Sequence, residues 1–316
     1  MALAFIVGRL IYGLLSLLIL SAIIFICTHL LPGDAAATIL GEQATPEALA
    51  ALRTRLGLDR PFIVQFMVWL AGMPQGDFGI SATLNQPVGA LIADHFANSF
   101  ALAVAALIVA ASVAIPLGVV AAVRRGSRLD GAILGASYFG ISIPDFVVAP
   151  VLIVLLASPP LNLFPSSGFT ALTESFRGWA SHIVLPVITL SFVLTAHLLR
   201  QTRSGMLDVL GSDYIRTARL KGLPERTVLW RHGLRNGLAT TITVLALDVG
   251  YLMGSIVIVE EIFAFPGLGR LIVYAVANRD IPLVQGTALT IGAVYVVANL
   301  LADLLQAALN PRLRRP

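Results

Sequence analysis

The sequence predicts an all-α integral membrane protein with six transmembrane helices and a helical extracytoplasmic insertion after the first. Three observations carry that expectation. The 316 residues are 57% hydrophobic and only 12% charged, with a mean hydropathy of +0.88, whereas a soluble domain carries about 25% charged residues. Six apolar stretches reach the roughly 20 residues that a helix needs to cross a bilayer. The basic residues, twenty Arg and the single Lys221, are distributed unevenly among the loops between them.

The six stretches are residues 9–31, 97–123, 131–157, 181–199, 236–262 and 282–309. The first is too long for a signal-peptide core, and no small-residue cleavage site follows it, so it reads as a retained anchor. The third is interrupted by Pro144, Asp145 and Pro150. Proline removes a helix hydrogen bond, so a kink or local unwinding is expected there. With the N-terminus inside, the cytoplasmic side holds Arg9, three arginines in 124–128, seven arginines plus Lys221 in 200–235, and three arginines at the C-terminus. The other side holds Arg53, Arg55, Arg60, Arg177, Arg270 and Arg279. The positive-inside rule therefore places both termini in the cytoplasm.

The chain divides into an N-terminal helix at 1–31, an insertion at 32–95, and a five-helix core at 96–316 that contains the basic loop 200–235. Within the insertion, Thr45-Pro46-Glu47 reads as N-cap, first-turn proline and first-turn acid. Leu49, Leu52 and Leu56 follow at helical spacing, and Gly57 ends that helix. A second helix starts at Pro61, with Phe62, Phe66, Trp69 and Leu70 on one face. Gly76-Asp77-Phe78-Gly79 is a turn. The insertion reads either as a cap over an outer mouth or as a contact surface for an external partner.

Several chemistries have no residues to carry them. Lys221 is followed by Gly222 and Leu223, so no phosphate-binding loop with its Lys-Ser/Thr pair exists. His29, His95, His182, His197 and His232 are scattered without metal-site spacing, and there is no Gly-x-Ser-x-Gly nucleophile elbow. Cys27 lies alone in an apolar run, a packing residue without a disulfide partner.

The segment 212–224 is the most informative. Tyr214, Ala218 and Gly222 fall at i, i+4 and i+8 and share a helix face. Small residues on that face admit a close neighbour, and Arg216, Arg219 and Lys221 surround it. Gly222 suits the left-handed conformation that ends a helix, and Pro224 prevents its continuation. The order suggests a docking element for a cytoplasmic partner. The bland alternative, a loop that merely obeys the positive-inside rule, has equal weight on these residues alone.

The segment is similar to the EAA loop of ABC importer inner-membrane subunits, whose pattern is Glu-Ala-Ala-x-x-x-Gly. Arg216, Thr217, Ala218 and Gly222 stand at the matching positions, with Arg in place of Glu and Thr in place of the first Ala. Asp213-Tyr-Ile-Arg-Thr-Ala-Arg-Leu-Lys-Gly-Leu223 and Arg231-His-Gly-Leu-Arg-Asn236 resemble the dipeptide/oligopeptide/nickel branch. So do Leu31-Pro-Gly-Asp34, Leu56-Gly-Leu-Asp-Arg-Pro61, Gly76-Asp-Phe-Gly79, Ser142-Ile-Pro144, Glu261-Ile-Phe263, Phe265-Pro-Gly-Leu-Gly269 and Asn278-Arg-Asp280. Their order and the large first external loop resemble the "B" permease subunits of that branch.

The resemblance implies the type I ABC importer permease fold in a bacterial cytoplasmic (inner) membrane. It implies a heterodimer with a second, related permease subunit, two ATP-binding subunits and an extracytoplasmic solute-binding protein, with no nucleic-acid partner. ATP and Mg would sit on the partner subunits, so this chain is expected to hold no cofactor or metal and to catalyse nothing. Peptides are the implied cargo, and coupling to the ATPase is implied at Asp213, Tyr214, Arg216, Thr217, Ala218, Arg219, Lys221 and Gly222.

Polar groups at membrane depth are costly and usually face an aqueous path or one another. Asp145, Asp248 and Asn299 are the candidates for a translocation pathway. Asp145 could instead satisfy backbone freed by Pro144, and Asp248 could be an interhelical hydrogen bond. His197 reads as a packed or hydrogen-bonded residue, and Asp303 as a partner for a nearby Arg. Glu261, Phe263, Phe265, Pro266 and Gly267 form either a re-entry hairpin or an external gate. Gly250-x-x-x-Gly254 and Gly131-x-x-x-Gly135 would allow close helix contact. A rival reading is an ion-coupled secondary transporter using Asp248 or Asp145. Inverted repeats would favour it, and none is visible. A membrane enzyme or scaffold would need ionisable groups on facing helices, and the acids are too scattered in sequence to argue one.

Overall fold

The structure, a computed structural model, describes residues 2–30, 45–56 and 59–309. The motif 31–34, Gly57 and the C-terminal arginines lie outside the described residues. Eleven helices are described, in the order α1 (Ala2–Leu30), α2 (Pro46–Leu56), α3 (Phe62–Gly72), α4 (Val88–Val123), α5 (Arg128–Ser142), α6 (Asp145–Ala157), α7 (Phe176–Leu210), α8 (Asp213–Leu220), α9 (Glu225–Ile262), α10 (Leu268–Ala277) and α11 (Ile281–Leu309). Among the described residues the only strand-like pairing is an isolated bridge between Ile80 and Pro87.

Five of these helices are long and apolar enough to cross a membrane, and the bent pair α5–α6 brings the number to six if it is counted as one broken span. The bend is 99°. It falls where the sequence interrupts: Ile143 is extended and Pro144 caps α6, so Pro144 restarts the helix and does not merely kink it. The carbonyl of Pro144 accepts from the backbone N–H of Val147 at 2.9 Å and of Val148 at 3.2 Å, which closes the first turn of α6. Its last turn, Ile153–Ala157, is π-helical. So is Val228–Leu234 near the start of α9.

The chain forms two compact units, drawn differently from the three-part division expected above. One comprises residues 1–6, 100–265 and 298–316. In it α7 is central and packs against α5, α6 and α9. Leu185, Leu190 and Leu194 of α7 are buried with Leu102, Ala106 and Ala110 of α4 and Leu252, Ile256 and Val259 of α9. Close approach within this unit is seen at two glycines outside the expected pairs. A Cβ at Gly118 would lie 2.7 Å from the Thr202 side chain and 2.8 Å from the Leu199 carbonyl, and one at Gly140 would lie 3.1 Å from Ala196. Gly131, Gly135 and Gly254 have nothing within 4 Å of an added Cβ.

The other unit comprises residues 7–99 and 266–297. The expected cap at Thr45 forms: its hydroxyl accepts from the N–H of Ala48 at 3.2 Å. The aromatic face of α3 also forms, and it has a partner that periodicity could not name. Phe62, Phe66 and Trp69 surround Phe25 of α1 with ring centroids 5.1, 5.3 and 5.5 Å away. Val88, Leu91 and Ile92 of α4 are buried with Leu268, Leu271 and Ala275 of α10 and Leu283 of α11. Gly76 and Gly79 both take positive φ, as the turn requires. Asp280 caps this unit: its carboxylate accepts from Ser81 Oγ at 2.6 Å, Thr83 Oγ1 at 2.8 Å and Thr83 N at 3.0 Å.

Candidate functional site

Loop 212–224 folds as a short amphipathic helix that ends on a glycine. Asp213 lies in the first turn of α8. Ile215 and Ala218, one turn apart, are buried against Val228 and Val209. The opposite face, Asp213, Arg216, Thr217 and Leu220, is exposed. Gly222 takes φ +75, and its N–H donates to the Arg219 carbonyl at 2.9 Å. That left-handed turn lets the next N–H, of Leu223, reach back to the Ala218 carbonyl at 3.4 Å and close the helix. A Cβ at Gly222 would meet nothing within 4 Å, so the glycine answers a backbone demand and not a steric one within the chain.

The face expected from Tyr214, Ala218 and Gly222 is therefore not a single open surface. Ala218 turns inward, because the apolar stripe at 215 and 218 is what anchors α8. Tyr214 is a strut: its hydroxyl donates to the His232 carbonyl at 3.3 Å and accepts from Asn236 Nδ2 at 2.9 Å. Arg219 is engaged by Glu225 through two bonds of 2.7 and 3.1 Å across the Gly222 turn. Arg216, Lys221 and Gly222 remain exposed, as expected. Leu220, 80% exposed, was missed by the sequence reading. Its signal was its place three residues after Thr217 and four after Arg216 on one helix face.

A second anchor, also missed, lies at the helix that leads into α8. Asp130 of α5 accepts from Arg203 of α7 through two bonds of 2.7 and 2.8 Å, and from the N–H of Gly126 at 2.9 Å. It joins the basic segment 124–128 to the end of the helix that leads into α8. Asp130 is buried, whereas both partners of the Arg219–Glu225 pair are open to solvent. Removing one partner of a buried pair strands a charge, while exposed pairs contribute little. Asp130→Ala is accordingly expected to lower the thermal unfolding midpoint in detergent more than Glu225→Ala does. Equal shifts for the two variants would show that the Asp130 pair is not an anchor.

The acids that look scattered in sequence are brought together. Asp248 of α9 pairs with His197 Nδ1 of α7 at 2.9 Å. Asp145, in the first turn of α6, accepts from Tyr251 Oη at 3.3 Å. Tyr251 follows Asp248 by three residues, so they neighbour on one face of α9. Asp145 does not bond freed backbone at Pro144. Asn299 and Asp303 are half-buried on α11.

The gate candidates separate. Phe263 and Phe265 are 2% and 1% exposed, so they form core and no apolar tip. Phe265 meets Phe169 edge-on at 5.2 Å, and the Phe263 carbonyl accepts from the N–H of Gly168 at 2.9 Å. Aromatic burial is the physical reason for this placement. Glu261 is exposed, Pro266 is half-buried and Gly267 is buried. The Pro266 carbonyl accepts from Asn98 Nδ2 at 2.9 Å.

Residues 114–315 match the family described as binding-protein-dependent transport system inner membrane component, and residues 2–103 match its N-terminal counterpart. A putative peptide transport system permease protein of Brucella abortus (strain 2308) is 41% identical over 98% of this chain and 99% of its own. A probable peptide ABC transporter permease protein of Sinorhizobium fredii is 36% identical over 98% and 99%. A glutathione transport system permease protein of Salmonella typhi is 37% identical over 98% of each.

Proposed function

The chain belongs to the family of binding-protein-dependent transport system inner membrane components, and from that premise we propose that it forms half of the translocation pathway of an ATP-driven peptide importer. It is a multi-pass inner membrane protein. The observation that carries the coupling assignment is the shape of α8: an anchored apolar side, an exposed side at Asp213, Arg216, Thr217 and Leu220, and an open turn at Gly222. Such an element transmits motion as a lever, because Ile215 and Ala218 fix it to the bundle while the outer face meets another protein.

In this reading both termini are cytoplasmic, two ATP-binding subunits supply ATP hydrolysis, and their closure pushes α8. A second, related permease subunit completes the pathway, and an extracytoplasmic solute-binding protein delivers di- or oligopeptides. Peptide-permease relatives across nearly the full length support the cargo class. The chain has no phosphate-binding loop of its own. No observation favours the ion-coupled alternative.

The test is reconstitution of the chain with the products of its flanking genes in proteoliposomes. Peptide-loaded solute-binding protein is expected to stimulate ATP hydrolysis several-fold and to drive peptide uptake. Stimulation by another cargo class but by no peptide would overturn the peptide assignment.

A further inference from the structure

We propose that Asp145 and Asp248, flanked by His197 and Tyr251, form a recognition patch for the ammonium group of the cargo, a use that rests on the importer reading above. Three helices, α6, α7 and α9, supply the four groups, although Asp145 and Tyr251 lie 106 positions apart in the sequence. Both carboxylates are buried, each with 6% of its residue surface exposed. Asp145 uses one oxygen on Tyr251 Oη and Asp248 one on His197 Nδ1. The other oxygen of each, Asp145 Oδ1 and Asp248 Oδ2, is buried and accepts no well-formed hydrogen bond among the described residues, although the Ser255 hydroxyl, one turn beyond Tyr251 on α9, also lies beside Asp145. A buried charged acceptor left without a donor costs far more than one exposed to water. Two of them on neighbouring helices form a site that a donor-only cation would satisfy.

The approach to the site is open on one side. The His197 side chain is 38% exposed, and Tyr251 is also exposed. A polar rim at membrane depth around two buried acids is unsuited to lipid and suited to a water-filled path. Among the described residues no Arg or Lys pairs with either acid. Arg200, one turn beyond His197 on α7, instead lies over the Tyr138 ring, 5.5 Å from its centroid. The two carboxylates therefore exceed the single positive charge that His197 can contribute. An alkylammonium carries three N–H donors and no acceptor, which matches acceptors that lack donors. The group is supplied by a peptide N-terminus or by a lysine side chain.

Two arms test the patch. In the first, the wild-type complex is treated with a hydrophobic carbodiimide, and labelling of Asp145 and Asp248 is read by mass spectrometry, with Asp303 as the internal reference. Alaninamide, which carries the ammonium, is expected to protect both acids relative to Asp303, and N-acetylalaninamide is expected to protect neither. Equal labelling with the two amides overturns the proposal, whether or not the complex transports. In the second arm, uptake is measured for a free dipeptide, its N-acetylated form, and an N-acetylated peptide containing lysine. Each rate is taken as the ratio of variant to wild type, which cancels the preference of the solute-binding protein. Asp145→Asn and Asp248→Asn are each expected to slow ammonium-bearing cargo about tenfold, the loss that a charge-assisted hydrogen bond carries, and to spare the N-acetylated form. Lysine rescue of the acetylated peptide's sensitivity would assign the side-chain ammonium, and its absence the N-terminus. Uniform slowing of all cargo would overturn the proposal. Failure of wild-type uptake and ATPase stimulation would instead sink the importer reading, while the labelling arm still decides the patch.

Discussion

Asp280→Ala is expected to destabilise the unit formed by residues 7–99 and 266–297 by about 3 kcal/mol or more, since each buried donor left without its acceptor costs roughly 1–3 kcal/mol. Asp280 is fully buried and receives Ser81 Oγ, Thr83 Oγ1 and Thr83 N on one oxygen and the Leu283 N–H at 3.2 Å on the other. The last of these caps the first turn of α11. Burial alone would raise the carboxyl's pKa, but the hydrogen bonds from Ser81 and Thr83 outweigh it and hold Asp280 below the usual carboxylate range. The sign of the pH dependence follows. A group whose folded pKa is depressed contributes stability that is complete above its unfolded value, about 3.9, and is lost as the pH falls through the folded one. The stability difference between wild type and Asp280→Asn, followed by unfolding in detergent, should stay constant near neutrality and shrink toward acid. A difference that grew on acidification would contradict this placement of the charge.

Hydropathy located every spanning helix but not its ends. The stretch 97–123 begins at Val88 in the structure, and 181–199 extends over Phe176–Leu210. The reason is physical: a helix continues past the apolar zone as long as its backbone bonds are met, as where Ser175 caps the N–H of Gly178. The break in the third span was legible because Pro144 disfavours helical backbone in the residue before it, and Ile143 is extended there. The inward turn of Ala218 was not, because periodicity defines which residues share a face and not which face is buried. Val228, which covers Ala218, lies across the turn at Gly222. The same limit hid the pairs His197–Asp248 and Asp130–Arg203, whose members are 51 and 73 residues apart. Charge patterning could place Arg203 in a basic loop but could not find its partner. The burial of Phe265 likewise depends on Phe169, nearly a hundred residues earlier.

Gly222→Trp is expected to reduce ATPase stimulation and uptake about tenfold or more, a loss of about 1.4 kcal/mol or more of coupling free energy, while the six spans stay inserted. The argument rests on what surrounds the residue. Its φ of +75 penalises any side chain, by roughly 1–2 kcal/mol, yet an added Cβ meets no atom of this chain within 4 Å. The side chain leaves the backbone into open space, so its bulk is expected to act on a partner seated against the turn. Gly222→Ala, which carries the same backbone penalty without the bulk, should lose less. Gly126→Trp provides the matched control. Gly126 also has positive φ, at +78, and also has nothing within 4 Å of an added Cβ, but it lies between α4 and α5. If bulk at Gly222 blocks docking, Gly126→Trp should retain most of its stimulation. Equal losses in the two tryptophan variants would mean that backbone strain, and not a seated ATPase subunit, accounts for the effect. Normal stimulation in Gly222→Trp, with normal amounts of the protein in the membrane, would remove α8 and its turn from the coupling path.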